Sequence, residues 1–440
     1  MNRAEHETGA ARLVRDIRSV AHPLNGPDDL APLVDQVGHA RYVCIGEASH
    51  GTHEYYRWRA LLSRKLIEEH DFTWIGVEGD WPDCWQINRW VRGQADQDLD
   101  VFAVLARFER WPTWMWANDD VAEFLVWLRQ LNATRPEHER VGFYGLDVYS
   151  LWDSLREIIS WLDAHEPDAV PAAMHAWRCF VPYREDPHQY AWATRLVPDS
   201  CEADVVALLV AVRGRAGAWP SDDEAAFDAL QNAEIAAGAE RYYRTMVRGD
   251  RQSWNVRDHH MADTVDRVAR HLGCGSKGLV WEHNTHIGDA RGTDMTRDGL
   301  VNVGQLLRER HGAEGVALVG FASYRGSVLA AGAWGSPEAV FPVPVARPGS
   351  HEELLHRVLG RAAVLVFGGD RSGPWLSAWM DHRAIGVVYQ PAREAGNYVP
   401  TCMGTRYDAL IWFEETTALQ PLHHEALPRE SELETEPSGF

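Results

Sequence analysis

Glu47 and His50 are the first side chains whose types and spacing could do chemistry, because a carboxylate that holds a histidine can make it a general base. They follow Tyr42–Ile45, a short apolar and β-branched run that predicts a buried strand. A helical pattern then runs from Glu54 to about residue 70. A strand, a polar turn and a helix in this order place reactive groups at the carboxyl edge of an α/β sheet.

Other predicted strands also end in titratable side chains. Residues 72–77 predict a strand that ends at Glu78, and residues 141–146 predict one that ends at Asp147. The carboxyl ends of parallel strands meet at one edge of a sheet, so groups distant in sequence can share a cleft. We therefore expect Glu78 to lie near His50.

A return strand over residues 278–282 leads to His283 and His286. Residues three apart face opposite ways on a strand but share a face on a helical turn. Asn284 and Gly288 favour the turn, so both imidazoles are expected to point into the same cleft. The expected catalytic residues are Glu47, His50, Glu78, His283 and His286.

Three histidines and two carboxylates permit two mechanisms. In one, a histidine held by a carboxylate takes a proton from water while a second histidine polarises the acyl oxygen. In the other, the same groups bind a divalent metal that activates the water. The chain has neither HExxH nor a His-x-His pair. It also has no GxSxG elbow, which disfavours covalent catalysis, and no glycine-rich phosphate loop.

The remaining pattern predicts an α/β fold, with a mostly parallel sheet, flanking helices and an inserted helical domain. Residues 151–271 show helical periodicity and no strand pattern, and further strands are predicted at 315–320, 362–367, 384–389 and 408–413. We predict that residues 1–150 and 275–427 are two parts of one α/β core, that residues 151–274 are the insertion, and that the acidic residues 428–440 are a disordered tail.

The composition limits the kinds of molecule that the protein is expected to bind. A formal net charge of −21 over 440 residues argues against nucleic acid and anionic membranes, and leaves a small molecule as the expected partner. No secretory signal or membrane-spanning run is visible. Six scattered cysteines without a CxxC pair indicate reduced thiols and no cysteine zinc site, so we expect a cytoplasmic protein.

The segments Gly46–Thr52 and Trp281–His286, together with the strand that ends in Glu78, resemble the erythromycin esterase family. Their order and approximate spacing agree, and the resemblance extends from about Val34 to Leu422. It implies an erythromycin esterase-like fold and a hydrolase that opens a macrolactone ester by water attack, without a cofactor or a metal. Antibiotic resistance is the role implied for such an enzyme.

The resemblance also implies roles for individual residues. His50 matches the histidine regarded as the general base of the family, and Arg59 falls where the family has a functional arginine. Asp147 and Arg257 lie in segments that resemble family segments, and we expect both to contact the substrate, as we expect of Arg59. The Trp/Arg-rich stretch from Trp81 to Trp116 is expected to shape the substrate pocket, with these two tryptophans lining it.

Two alternatives keep the same cleft. The chain could be a metal-dependent hydrolase of another ester or amide, or a non-catalytic protein that binds a small molecule. The cluster of histidines and carboxylates speaks against pure binding, since a binding pocket does not need so many titratable groups.

Overall fold

The computed structural model describes residues 3–95, 98–183, 185–196, 200–216, 219, 223–247, 252–369 and 371–424. The chain forms two compact units. The first comprises Met1–Ile75, Asp98–Val141 and Lys277–Phe440, and the second comprises Gly76–Gln97 and Gly142–Ser276. The tail predicted at residues 428–440 lies outside the described residues.

The strands are β1 (Ala21–Pro23), β2 (Tyr42–Ile45), β3 (Trp74–Val77), β4 (Gly142–Gly145), β5 (Gly278–Trp281), β6 (Val316–Ala331), β7 (Glu338–Val343), β8 (Ala363–Val366), β9 (Trp379–Arg383), β10 (Tyr398–Cys402) and β11 (Ala409–Thr416). The helices are α1 (Arg3–Val20), α2 (Ala31–Val37), α3 (His53–Glu69), α4 (Trp81–Val91), α5 (Val101–Leu105), α6 (Asp119–Ala133), α7 (Leu151–His165), α8 (Val170–Phe180), α9 (Pro187–Leu196), α10 (Glu202–Ala216), α11 (Glu224–Met246), α12 (Gln252–His271), α13 (Asn284–Ile287), α14 (Val303–His311), α15 (His351–Leu359) and α16 (Met403–Arg406).

In the first unit, the strands of the main sheet follow the order β1-β8-β11-β6-β2-β5. The central pairs β5–β2, β2–β6 and β6–β11 are parallel, while β11–β8, β8–β1 and β6–β7 are antiparallel. All four residues of β2 are buried, as its continuous apolar run requires of a central strand. The predicted α/β class with a mostly parallel sheet is confirmed.

Most of the predicted strands are present, but the strand predicted over residues 384–389 is wrong. There the chain makes only isolated bridges, from Ile385 to Ser49 and from Val388 to Ala331, and the regular strand β9 ends at Arg383. The apolar run is buried because it packs against the loop after β2. Burial alone does not require a ladder of backbone hydrogen bonds to a neighbouring strand. The strands β1, β7, β9 and β10 were not predicted, and β6 is longer than expected because it continues into a hairpin with β7.

The second unit contains β4 and the helices α4 and α7 to α12. Between Leu151 and His271, every regular element that the structure describes is a helix, in agreement with the predicted periodicity. The helix α11 buries residues along most of its length, and its alanines pack against α7 and its neighbours in one apolar core. The predicted boundaries of an inserted domain stay a prediction.

The expectation that the cysteines are reduced is wrong for one pair. Cys179 and Cys201 form a disulfide that joins the end of α8 to the residue before α10, across 22 residues of sequence. Cys44, Cys84 and Cys402 are buried free thiols, and Cys274 is exposed. Disulfides are rare in cytosolic proteins, so the cytoplasmic location loses part of its basis and stays a prediction. No helix in the described part of the chain is long and apolar enough to cross a membrane.

His260 in α12 is expected to make the second unit less stable in acid. Its side chain is buried beside Gly238, and burial together with the Arg267 charge lowers the pKa of the imidazole from 6.5 to about 3. Between these two pKa values the unfolded chain binds the proton and the folded chain does not, so stability falls as the pH drops from 6.5 towards 3. The loss is about 1.4 kcal/mol per pH unit across that window.

Urea unfolding at about pH 7 and about pH 5, compared between the wild type and His260→Leu, measures this effect. The variant is expected to lose less stability in acid than the wild type. The exposed neighbour His259 supplies a matched control, because His259→Gln leaves the buried imidazole in place. Equal acid sensitivity of the wild type and His260→Leu would contradict the assignment.

Candidate active site

The register of β2 against β5 brings Glu47 and His283 together. Ile45 and Trp281, the last residues of β2 and β5, pair with each other, and Glu47 and His283 each lie two positions beyond the last residue of their own strand. The two chains are also joined just past the strands, where the backbone N–H of Asn284 donates to the carbonyl of Glu47 at 2.8 Å. The polar side chains that follow β2 and β5 therefore leave the sheet side by side.

Glu47 holds both His50 and Arg59. Nδ1 of His50 lies 2.8 Å from Oε1 of Glu47, and Nη1 of Arg59 lies 3.1 Å from Oε2. All three side chains are almost fully buried, with exposed fractions of 2% or less. Because each carboxylate oxygen meets a different partner, the rotation of the carboxylate and the orientation of the imidazole are fixed together.

Arg59 is buried because it lies on the inward stripe of α3, one turn after Tyr55 and Tyr56 and one turn before Ser63. Its guanidinium carbon lies 4.4 Å from the ring centre of Tyr56, 4.8 Å from that of Trp281 and 5.8 Å from that of Trp116. Aromatic faces stabilise a cation in place of water. The charge of Arg59 is thus compensated by Glu47 and by these rings.

His283 lies beside His50, with the two ring centres 4.8 Å apart and the ring planes inclined by 38°. It caps α13, because its Nδ1 accepts the backbone N–H of Thr285 at 3.3 Å and lies 2.8 Å from the hydroxyl of the same residue. A neutral imidazole whose Nδ1 accepts carries its proton on Nε2. His283 is therefore arranged as a hydrogen-bond donor through Nε2.

His286 follows on α13, and the turn that Asn284 and Gly288 predicted is present. Two glycines let the His50 loop pack closely against neighbouring segments. A side chain on Gly46 would collide with Oδ1 of Asn284 in α13, and one on Gly51 would collide with the Leu329 carbonyl in β6. Both glycines are therefore needed for packing within the protein itself.

A second group of charges lies in the second unit. Arg257 donates from Nε and Nη2 to the two oxygens of Asp147, at 3.0 and 2.7 Å, and from Nη2 to Glu78 at 2.7 Å. Burial lowers the pKa of this guanidinium, but Asp147, Tyr149 and Glu78 outweigh it and raise the pKa well above its usual value. The predicted site residues Glu78, Asp147 and Arg257 form one buried ionic group.

Trp81 is also in the second unit, and it is fully buried in a stack with Trp85 and Tyr144. Its Nε1 donates to Asp228 at 2.7 Å. Burial raises the pKa of the Asp228 carboxyl to about 7, although the hydrogen bond from Trp81 opposes this. Asp228 carries no local signal in the sequence, because its partner Trp81 lies 147 residues away.

The structure thus places the predicted residues in two groups. The first unit brings together Glu47, His50, Arg59, Trp116 and His283, and the second brings together Glu78, Asp147 and Arg257. His286 lies buried on the turn that follows His283, and its approach to the same cleft stays a prediction. The convergence of Glu78 with His50 stays a prediction, as do the substrate contacts of Arg59, Trp81, Trp116, Asp147 and Arg257. Within the described ranges, no three His, Cys, Asp or Glu side chains are grouped as metal ligands would be.

Sequence reasoning missed the partners of the catalytic candidates. Thr285 and Asn284 stand between the two histidines and could have been suspected from their position. His382 on β9 reaches Asn284, and Glu352 on α15 contacts His382; both lie far from the motif and carry no local signal.

The fold and the site define an α/β protein with a histidine–carboxylate centre at the ends of parallel strands. The family model for erythromycin esterase matches residues 67–416, which is most of the chain. The chain belongs to the erythromycin esterase family.

The chain is also similar to individual proteins. Erythromycin esterase type II from Escherichia coli is 30% identical over 127 residues, a stretch that covers 29% of this chain and 28% of the relative. A solved protein from Bacillus cereus, 20% identical, covers 94% of this chain and 99% of its own with a TM-score of 0.78. A mutant erythromycin esterase in an open conformation, 18% identical, covers 90% and 97% with a TM-score of 0.65. A succinoglycan biosynthesis protein, 20% identical, covers 93% and 97% with a TM-score of 0.74. These structural likenesses concern the fold.

Proposed function

We propose that the protein hydrolyses an ester or macrolactone, with His50 taking a proton from the attacking water. The observation that carries this proposal is the buried hydrogen bond between Glu47 and His50, at 2.8 Å, beside the donor-type imidazole of His283. Membership of the erythromycin esterase family supports the reaction class.

The proton positions follow from the hydrogen bonds. Nδ1–H of His50 donates to Glu47, so Nε2 of the neutral ring has a lone pair and can accept a proton from water. When it does, the carboxylate of Glu47 stabilises the imidazolium that forms. Arg59 holds the other oxygen of this carboxylate and keeps it aimed at His50.

His283 supplies the complementary group. Its Nε2–H can donate to the carbonyl oxygen as that oxygen gains negative charge during water attack. One imidazole that accepts and one that donates, with centres 4.8 Å apart, can serve the water and the oxyanion of one reacting carbon. His286, on the same turn, is proposed to contact the substrate or the leaving oxygen.

Glu47→Gln tests the role of the carboxylate. The amide keeps the shape of the side chain but can present its NH₂ group to Nδ1 of His50, which favours the tautomer whose Nε2 cannot accept a proton. We expect kcat to fall about 10²-fold or more, with KM changed little. The measurement is steady-state kinetics on a protein whose thermal unfolding has been checked. Unchanged kcat in a folded Glu47→Gln protein would contradict the mechanism.

The substrate class is tested by mass spectrometry of erythromycin and simple esters incubated with the purified protein. If erythromycin gains one water, the protein is a macrolide esterase and a resistance role is supported. If only another ester gains water, that ester class becomes the proposed substrate, and the proposed mechanism is unchanged. Loss of activity on chelation, restored by zinc or manganese, would select the metal-dependent alternative. Binding of an ester without turnover would select the binding protein.

A further inference from the structure

Asn284 lies between the catalytic candidates His283 and His286, and several parts of the chain bind it. Its backbone N–H donates to the carbonyl of Glu47 at 2.8 Å, and its own carbonyl accepts from Nη2 of Arg406 at 3.1 Å. Both Asn284 and Arg406 are fully buried. A helix of one turn has almost no stability of its own, so tertiary contacts such as these, together with those of Asn302 to the Thr285 and Gly288 carbonyls, determine where α13 lies.

The side-chain amide of Asn284 has a fixed orientation. Its Oδ1 accepts the backbone N–H of Phe321 at 3.2 Å, and its Nδ2 donates to the Phe321 carbonyl at 2.8 Å. Only this assignment of oxygen and nitrogen satisfies both backbone groups of Phe321. The second hydrogen of Nδ2 is left to meet Nε2 of His382, which lies 3.5 Å away, at the upper limit of a hydrogen bond.

His382 is suited to accept that hydrogen because Glu352 fixes its tautomer. Nδ1 of His382 lies 2.6 Å from Oε1 of Glu352, and the same oxygen accepts the backbone N–H of Arg383 at 2.9 Å. Burial lowers the pKa of His382. Burial raises the pKa of Glu352, but His382 and Arg383 outweigh it and lower that pKa to about 2. Because Nδ1–H donates to the Glu352 carboxylate, the Nε2 of a neutral His382 is left as an acceptor that faces Asn284.

We propose that Glu352 and His382 are positioning residues for the hydrolysis, which hold the turn of His283 and His286 against Glu47 by way of Asn284. The expected effect of these two residues on turnover rests on the proposed function. The site then extends to a second histidine–carboxylate pair, which is fully buried. A displacement of α13 would move the Nε2–H donor of His283 away from the reacting oxygen, and small misplacements of this kind slow catalysis strongly.

His382→Asn and His382→Gln separate the two hydrogen bonds of the ring. Asparagine can still donate to Glu352 from near the Nδ1 position, but it has no acceptor that reaches Asn284. Glutamine extends to the Nε2 position and can accept from Asn284. We expect His382→Asn to lower kcat about 10- to 100-fold with little change in KM, and His382→Gln to recover part of that loss.

His351→Asn is the matched control. His351 is equally buried and adjacent to Glu352 in sequence, but its hydrogen bonds go to the Thr401 carbonyl and the Trp375 indole. Its replacement is expected to lower thermal stability as much as His382→Asn does, without the selective fall in kcat. If the role of His382 is purely structural, kcat should change equally in His382→Asn and His351→Asn.

Hydrogen exchange of the backbone amides of residues 284–287, measured by mass spectrometry or NMR, gives a readout that does not need turnover. We expect faster exchange in His382→Asn than in His351→Asn at equal global stability. Unchanged exchange in His382→Asn overturns the positioning role, whether or not the protein is an esterase. Faster exchange in a protein whose wild type hydrolyses no ester supports the positioning role and removes only the proposed function.

Discussion

His50→Asn is expected to lower kcat for ester hydrolysis by about 10²- to 10⁴-fold, because the variant loses the nitrogen that takes the proton from water. Asparagine can still donate to Glu47 from near the Nδ1 position, so the buried carboxylate keeps a hydrogen bond. The protein should therefore stay folded. Steady-state kinetics, with thermal unfolding and circular dichroism to confirm folding, measure the effect.

His53→Asn supplies the control, because His53 lies three residues further on and pairs with Asp120 instead of Glu47. It should retain activity close to that of the wild type. A folded His50→Asn protein with full activity would remove His50 from the mechanism. An equal loss in both variants would indicate damage to the α3 start and not loss of a general base.

Arg257→Met is expected to destabilise the second unit by about 3–5 kcal/mol, because it leaves the carboxylates of Asp147 and Glu78 buried without their cation. The arginine is almost fully buried and makes a two-pronged contact with Asp147, so solvent cannot replace it. Urea unfolding monitored by circular dichroism measures the loss. Adding Asp147→Asn and Glu78→Gln to the variant should restore part of the stability.

Arg156→Met is the matched control in the same unit. Arg156 also contacts two carboxylates, those of Asp153 and Glu185, but about half of each side chain is exposed. Surface pairs of this kind contribute about 0–1 kcal/mol, so the unfolding midpoint should change little. An Arg257→Met protein as stable as Arg156→Met would show that the buried charges are compensated in another way.

The sequence predicted the core of the first unit well because its signals are local. Tyr42–Ile45 is a buried strand, α3 begins at His53, and Asn284 begins a turn after β5, all as the apolar runs and glycines indicate. Parallel pairing of β2 with β5 then brings Glu47 and His283 side by side, which the shared sheet edge had predicted.

Features that depend on tertiary contacts could not be predicted. The apolar run at 384–389 is buried by packing and not by a ladder, and nothing local distinguishes the two cases. The Cys179–Cys201 disulfide depends on how α8 and α10 meet. His382 reaches Asn284 across 98 residues, so its partnership follows from the register of distant strands.

The burial of Arg59 also depends on tertiary contacts. The family resemblance implied a substrate contact for this arginine without indicating its protein partners. In the structure it is fully buried against Glu47 and the rings of Tyr56, Trp116 and Trp281. The inward stripe of α3 could be recognised in the sequence, but the carboxylate that makes burial of its arginine tolerable comes from another element.

One measurement tests the central claim most directly. Erythromycin and a panel of simple esters are incubated in oxygen-18 water with the protein in molar excess, and the products of the first turnover are weighed by mass spectrometry. Direct attack by water on the ester predicts a ring-opened or cleaved acid that contains one atom of oxygen-18, formed about 10²- to 10⁴-fold more slowly by His50→Asn than by the wild type. A product without the label, or labelled product formed at the same rate by the wild type and His50→Asn, would contradict attack by water activated at His50.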